Sequence, residues 1–274
     1  MKQLSTPIAF IGGGNMTHAI IGGLMRTGVQ AQELLVVEPF AAARERLASA
    51  YGVVAQEQAS AALANAALVV WAVKPQAFAQ AAAQCKPFVG ACAQLSVAAG
   101  IRSDSIAQWL GSEHVVRCMP NTPALIGKGM TALFARDQVH ADERSLAEQV
   151  VATTGEYLWV AREEDLDAVT ALSGSGPAYV FFFLEAMQDA GVEMGLSAEQ
   201  AHQLAVATFV GASELARTSS EPPEVLRDRV TSKGGTTYAA ITAMQQAGIK
   251  ASFIAALHQA RLRAKEMGDE FGKD

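Results

Sequence analysis

No two lysines or arginines are adjacent anywhere in this chain of 274 residues. Acidic residues outnumber basic ones, 27 to 21, for a net charge of −6. That balance lacks the basic footprint of a nucleic-acid binder, and no nucleic-acid partner is expected. Cysteine is scarce: Cys85, Cys92 and Cys118, with no CxxC pair. Such a count builds no disulfide framework and fits a reducing, cytoplasmic compartment. The five histidines, His18, His114, His140, His202 and His258, are scattered, with no HxxxH, no HExxH and no Cys/His pair at ligand spacing. No metal site is expected from that spacing. There is no GxxxxGK[ST], and position 173 is Ser, so Ser175 is not the centre of a GxSxG nucleophile elbow. No uninterrupted apolar stretch approaches the roughly 18 residues that suggest a membrane span, and no membrane partner is expected. The opening segment has no long apolar region followed by a small-residue cleavage site.

Half of the residues are apolar and only 18% are charged, enough for a large buried core. The length predicts two domains. In the first half, short apolar runs alternate with helical stretches. Strands are predicted at Ile8–Ile11, Leu34–Val37, Val53–Ala55 (a weak signal), Leu68–Val73, Gln94–Ala98 and Val115–Arg117, then at Met130–Phe134 and Tyr157–Val160. Helices are predicted at Met16–Met25 and Ala41–Ala50. Apolar strands that do not alternate, separated by helices, imply a parallel sheet covered on both faces. After Glu163 the strand signals stop. Leu166–Leu172, Ala178–Gly191, Ala198–Ala216, Pro222–Val230, Thr237–Gln246 and Ala251–Glu266 all read as helical. The expected architecture is an α/β Rossmann domain over 1–161 followed by an all-α domain over 162–274.

The first predicted strand runs directly into Gly12-Gly13-Gly14-Asn15-Met16. A GxG after a strand and before a helix is the context of a dinucleotide loop. Gly12 permits a tight turn, Gly14 lets a pyrophosphate approach, and the helix N-terminus offers free N–H groups. Glu38 ends the second strand, where a carboxylate accepts hydrogen bonds from an adenosine ribose. Alone it favours NADH; Arg44 and Arg46 follow closely and could offset it toward NADPH. Lys74-Pro75 closes the strand at Leu68–Val73, where Lys74 either steers an anion or simply faces solvent. Ala98-Ala99-Gly100 leaves room for a flat ring or for packing. Asn121 sits between Pro120 and Pro123 in a rigid polar loop. In the helical half, Ser173–Tyr179 suits a helix start with Pro177 in its first turn and Ser175 or Gly176 as cap. Thr231–Thr237 is rich in glycine and hydroxyls just before a helix: either an anion site sized for a carboxylate, or an ordinary start with Thr236 or Thr237 as N-cap. A cofactor domain without an obvious strong acid or base suits hydride transfer.

Together the motifs resemble those of the pyrroline-5-carboxylate reductase family. The matching stretches are FIGGGNM (10–16), AVKPQ (72–76), SVAAGI (96–101), RCMPNTPAL (117–125), VTALSGSGPAYVF (169–181) and VTSKGGTT (230–237). The resemblance implies an N-terminal Rossmann domain and a helical domain that builds a homodimer, in some members a decamer of five dimers. It implies reduction of (S)-1-pyrroline-5-carboxylate to L-proline by NADPH or NADH, the last step of proline biosynthesis. By family position, Gly12, Gly14, Asn15 and Met16 meet the cofactor phosphates. Val73, Lys74, Pro75, Ala98 and Asn121 line the nicotinamide side. Ser232, Gly235 and Thr236 hold the substrate carboxylate, and the Thr237 hydroxyl reaches the ring nitrogen. One departure stands out: Lys233 occupies the place of a proline usual in the family, which loses φ rigidity and restores an N–H. A hydroxyacid dehydrogenase of related architecture is the competing reading. It would need a catalytic lysine at the start of the helical domain, and none occurs between Lys128 and Lys233.

Overall fold

The computed structural model describes residues 6–272. Seven strands form one sheet: β1 (Ile8–Ile11), β2 (Leu34–Val37), β3 (Leu68–Trp71), β4 (Ala93–Ser96), β5 (Val115–Met119), β6 (Gly129–Ala135) and β7 (Gly155–Trp159). Between them run α1 (Asn15–Arg26), α2 (Ala41–Tyr51), α3 (Pro75–Cys85), α4 (Ser103–Leu110) and α5 (Ala141–Ala152). After the sheet come α6 (Asp165–Val169), a π-helical turn (Thr170–Gly174), α7 (Gly176–Glu193), α8 (Ala198–Thr218), α9 (Pro223–Arg229), α10 (Thr236–Gln246) and α11 (Ile249–Phe271).

The strand order is β2-β1-β3-β4-β5-β6-β7. The chain leaves β1 toward β2 on one side and returns to β3 on the other, which creates a switch point beside β1. Successive residues of each strand enter different cores. Ile8, Phe10, Leu68 and Val70 belong to one, and Ala9, Ile11, Val69 and Trp71 to the other. This two-sided burial is why the strands read as continuous apolar runs. In α1, Ile20, Ile21 and Leu24 are buried at helical spacing. Each stabilises the fold by about 1.5–3 kcal/mol relative to an exposed position.

Three expectations need correction. Val53–Ala55 is not a strand. Only Gln56 joins the sheet's edge, donating its N–H to the Val36 carbonyl (2.7 Å) and accepting the Glu38 N–H (2.8 Å). Val53 is buried in the core while Val54 is exposed, and three residues are too few to form a ladder. Lys74-Pro75 therefore follows the third strand, and Pro75 opens α3. The sheet is also not wholly parallel, because β6 runs antiparallel to β5. The short connection Pro120–Lys128 turns the chain back beside the strand it has just left, which only antiparallel neighbours allow. Finally, Ser175 ends the π-helical turn as its C-cap and does not open α7 as an extended N-cap. It has helical backbone angles and donates its N–H to the Thr170 carbonyl (2.8 Å), within the π-helical turn.

The chain divides into two compact units, Met1–Ser175 with Ala260–Asp274, and Gly176–Gln259. The sheet unit thus extends beyond residue 161 and takes back the last part of α11. A buried ion pair secures that extension. Arg117 on β5 reaches Glu163 at 2.6 Å, and Glu163 also accepts the Ser103 N–H and hydroxyl, both at 2.6 Å. Arg102 meets Asp269 of α11 at 2.8 Å. The second unit is helical throughout. Within it α7 and α8 pack together, and Tyr179, Phe183 and Phe253 form an edge-to-face aromatic cluster.

Removing one partner of the Arg117–Glu163 pair leaves a largely buried charge alone. Glu163→Ala is expected to lower the unfolding free energy by about 3 kcal/mol, read as a fall in the urea midpoint. An unchanged midpoint would refute the pair's role.

Candidate functional site

A cleft of about 1110 Å³ lies at the carboxyl ends of β1, β2 and β3. It is lined by Gly12, Gly13 and Gly14, by Glu38 and Phe40, and by Val73 and Lys74, among others. Its position is the switch point of the sheet, where α/β proteins hold ligands. Gly12 has φ +99°, and a Cβ there would stand 2.6 Å from the Ala72 carbonyl oxygen. Only glycine fits both the angle and the space. Gly14 differs: a Cβ would meet nothing within 4 Å, because this residue faces open cleft. It is also the N-cap of α1, with no side chain capping the helix. The first amides of α1 are therefore free to meet an anion. Thr17 turns its hydroxyl inward, donating to the Gly12 carbonyl (2.6 Å), and so locks the turn from behind.

Glu38 is buried at 5% exposure. One carboxylate oxygen accepts the Gly13 N–H at 2.6 Å and the other the Phe40 N–H at 2.8 Å. Each oxygen keeps a further lone pair, so a ribose hydroxyl can still donate to it. The two arginines are not equivalent. Arg44 is committed to the Glu38 and Pro39 carbonyls (2.9 and 2.8 Å) and to Glu57 (3.4 Å). Arg46 is exposed and lines the cleft.

The cleft is chemically quiet. Its ionisable linings are Glu38, Arg46, Glu57, Lys74 and Cys85. Burial pushes the Cys85 thiol up to about 11, so it stays protonated at neutral pH and is no nucleophile. The nearby His18 imidazole is lowered, first by burial and then by Arg46, and stays neutral. Such a cleft positions a nucleotide and leaves the chemistry to it. The glycine cradle and the uncapped helix fit the diphosphate of NADPH or NADH.

Of the sequence-predicted cofactor residues, the cleft brings together Gly12, Gly14, Glu38, Val73 and Lys74. Asn15 and Met16 form the first turn of α1, and Pro75 opens α3 next to Lys74. Ala98 is buried in one of the two cores. Asn121 is spent on structure: its amide donates to the Ser173 carbonyl (3.2 Å) and accepts the Met130 N–H (2.9 Å). It ties the π-helical turn to the β5–β6 connection. Sequence reasoning missed Phe40, since an exposed aromatic carries no distinctive spacing, and of the two arginines weighed as an offset to Glu38 it is Arg46 that lines the cleft.

The second unit holds the other predicted residues in one turn. Gly235 is the N-cap of α10, again with no side-chain cap, so neither Thr236 nor Thr237 is the N-cap. Gly234 has φ +76°, and Gly235 donates its N–H to the Ser232 carbonyl (3.0 Å). The first intrahelical bond starts at Ala239, which leaves the amides of Thr236, Thr237 and Tyr238 without helical partners. This is a nest for a small anion such as a carboxylate.

Residues 163–267 match the family described as pyrroline-5-carboxylate reductase dimerisation. Residues 7–97 match the family described as NADP oxidoreductase, coenzyme F420-dependent. The pyrroline-5-carboxylate reductase of Pseudomonas aeruginosa is 43% identical, covering 98% of this chain and 100% of that one. The enzyme of that name from Pisum sativum is 33% identical, over 96% of both. Among solved structures, a pyrroline-5-carboxylate reductase from Coxiella burnetii superposes with a TM-score of 0.89 at 36% identity, covering 96% of this chain and 98% of that one. The Plasmodium falciparum pyrroline carboxylate reductase with NADP bound gives 0.87 at 26% identity, covering 97% and 99%.

The two glycines of the loop separate fold from binding. Gly12→Ala is expected to destabilise the protein by about 1–3 kcal/mol through strain, seen as a lower Tm. Gly14→Ala should keep the Tm and weaken dinucleotide binding by about tenfold or more, a loss of about 1.4 kcal/mol, read by fluorescence titration with NADPH. Equal binding by Gly14→Ala and the native chain would remove the loop from the site.

Proposed function

Because the chain belongs to the pyrroline-5-carboxylate reductase family, we propose that it reduces (S)-1-pyrroline-5-carboxylate to L-proline with NADPH or NADH. The observation that carries this reading is a pair of uncapped helix N-termini. The one at Gly14 suits a diphosphate, and the one at Gly235 suits a carboxylate.

In the proposal, Gly12, Gly14, Asn15 and Met16 hold the cofactor phosphates, and Glu38 accepts from the ribose. Val73, Lys74, Pro75 and Ala98 form the nicotinamide side, and Asn121 supports it through its bonds to Ser173 and Met130. Lys74 is the N-cap residue of α3 at the strand end and lines the cleft. When bound, the reduced nicotinamide supplies a hydride to the imine carbon. Ser232 and Thr236 hold the substrate carboxylate through the Thr236 amide and their hydroxyls, while Gly235, whose own N–H is spent on the Ser232 carbonyl, leaves room for its approach. The Thr237 hydroxyl hydrogen-bonds the ring nitrogen, which carries a proton supplied through the substrate or water when its carbon gains the hydride. A threonine hydroxyl is a poor acid, so the rate enhancement rests on proximity and orientation. Lys233 adds a positive charge beside the anion nest without the rigidity of a proline.

The family match is to a dimerisation region, and the second unit leaves Phe181, Phe182 and Leu215 each more than 60% exposed. Large apolar residues on a helical unit favour burial against a second copy. The proposed assembly is a homodimer, with a decamer of five dimers as its further form, in the cytoplasm. No helix among the described residues is long and apolar enough to cross a membrane.

Thr237→Ala is expected to lower kcat/KM for the imine by about 10–1000-fold, the scale of one or two well-placed hydrogen bonds. An unchanged value in a spectrophotometric assay would reject its role. Arg46 is proposed to set the tolerance for a 2′-phosphate, since Arg44 is already engaged. Arg46→Ala should raise the KM for NADPH by about tenfold and leave that for NADH nearly unchanged, on the scale of one charge-assisted contact. A parallel rise for both cofactors would overturn that assignment.

A further inference from the structure

The opposite end of the strands holds a cluster that the reductase reading does not use. His114 directly precedes β5, and His140 and Glu143 lie at the start of α5. One donor atom from each lies within 4.8 Å of the others. Since β5 is parallel to β4 and β3, this is the amino-terminal end of the strands, away from the carboxyl ends that carry the cleft. We propose that His114, His140 and Glu143 form a binding site for one divalent ion of the zinc type.

Two imidazole nitrogens and one carboxylate are a borderline set, suited to zinc and its neighbours and ill suited to calcium or magnesium. Geometry follows. His114 Nδ1 stands 2.9 and 3.0 Å from the two oxygens of Glu143. Ligands about 2.0–2.2 Å from a tetrahedral ion lie about 3.3–3.6 Å apart. The cluster is thus within a few tenths of an ångström of a coordination shell at that edge. The two imidazoles meet edge to face, with centroids 5.1 Å apart.

The backbone around the cluster is already ordered. The Gln94 N–H donates to the His114 carbonyl (2.8 Å), and the His140 N–H donates to Glu143 (2.8 Å). Arg144 donates its N–H to the His140 carbonyl (3.0 Å), closing the first turn of α5. An ion would therefore cost little backbone ordering on binding. His140 is exposed and gives a path of entry, while Glu143 is largely covered. The buried thiol of Cys92 lies close enough to feel Glu143, but its pKa is raised, foremost by burial. Cys92 is not among the three residues whose donor atoms come together. The site would clamp the start of α5 to the entry of β5, a structural role independent of the cleft.

The competing arrangement is a plain His114–Glu143 ion pair at a helix start. Untagged full-length protein, stripped with a chelator, separates the two by titration with zinc chloride against a chromogenic zinc indicator. The native chain is expected to bind about one zinc per chain, at least about tenfold more tightly than His140→Ala. His140 is exposed, so this variant keeps the fold. A second reading uses thermal unfolding. Excess zinc should raise the Tm of the native chain by about 5 °C and that of His140→Ala by much less. Equal zinc affinity in the two proteins, or equal Tm shifts, would overturn the proposal and leave an ion pair only.

Discussion

The turn after β1 presents its amides to the cleft only while something holds it open, and the Glu38 carboxylate does so. It accepts one N–H from Gly13 and another from Phe40 while almost fully buried. A buried carboxylate left without such partners would be costly, so the side chain and the loop hold one another in place. Thr17 completes the lock from the helix side. The same acid was expected to serve only the ribose. In the folded chain it first serves the glycine loop and then has lone pairs to spare.

The sheet that carries this turn is stabilised on both faces, and the two cores take alternate residues of each strand. Polar groups inside it are paired. Trp71 donates its indole N–H to Gln94 at 2.9 Å, and Gln94 in turn donates to the Cys92 carbonyl at 2.7 Å. Glu163 extends this logic beyond the last strand. By engaging Arg117 and Ser103 together, it draws the segment after β7 onto the sheet and makes residues up to Ser175 part of the same unit. Asn121 continues that connection into the π-helical turn. An extra residue per helical turn often marks a working site, and here it runs from Thr170 into the first two residues of the SGSGP stretch.

The helical unit rests on a different constraint. Much of its apolar surface stays exposed within one chain, and α10 begins on a glycine without a side-chain cap. Both features leave binding capacity unspent. The first suits a second copy, and the second suits a small anion.

Much was legible in the sequence because the relevant physics is local. Ile8–Ile11 running into Gly12 and Gly14 is a strand, a turn that needs positive φ and a helix start, all within one short stretch. Prolines and glycines marked the start of α3 and α10, and continuous apolar runs marked a sheet covered on both sides. The sequence by itself therefore determined the fold class, the family and the glycine-rich anchors. Tertiary structure alone decided the rest. That Arg44 is engaged and Arg46 lines the cleft, that Asn121 is spent on the π-helical turn, and that the sheet unit reclaims the end of α11 all depend on distant partners. So does the meeting of His114 with His140 and Glu143, which spacing along the chain hides. Local patterns follow from backbone sterics and neighbouring residues, whereas pairing between remote side chains exists only once packing has brought them within a few ångströms.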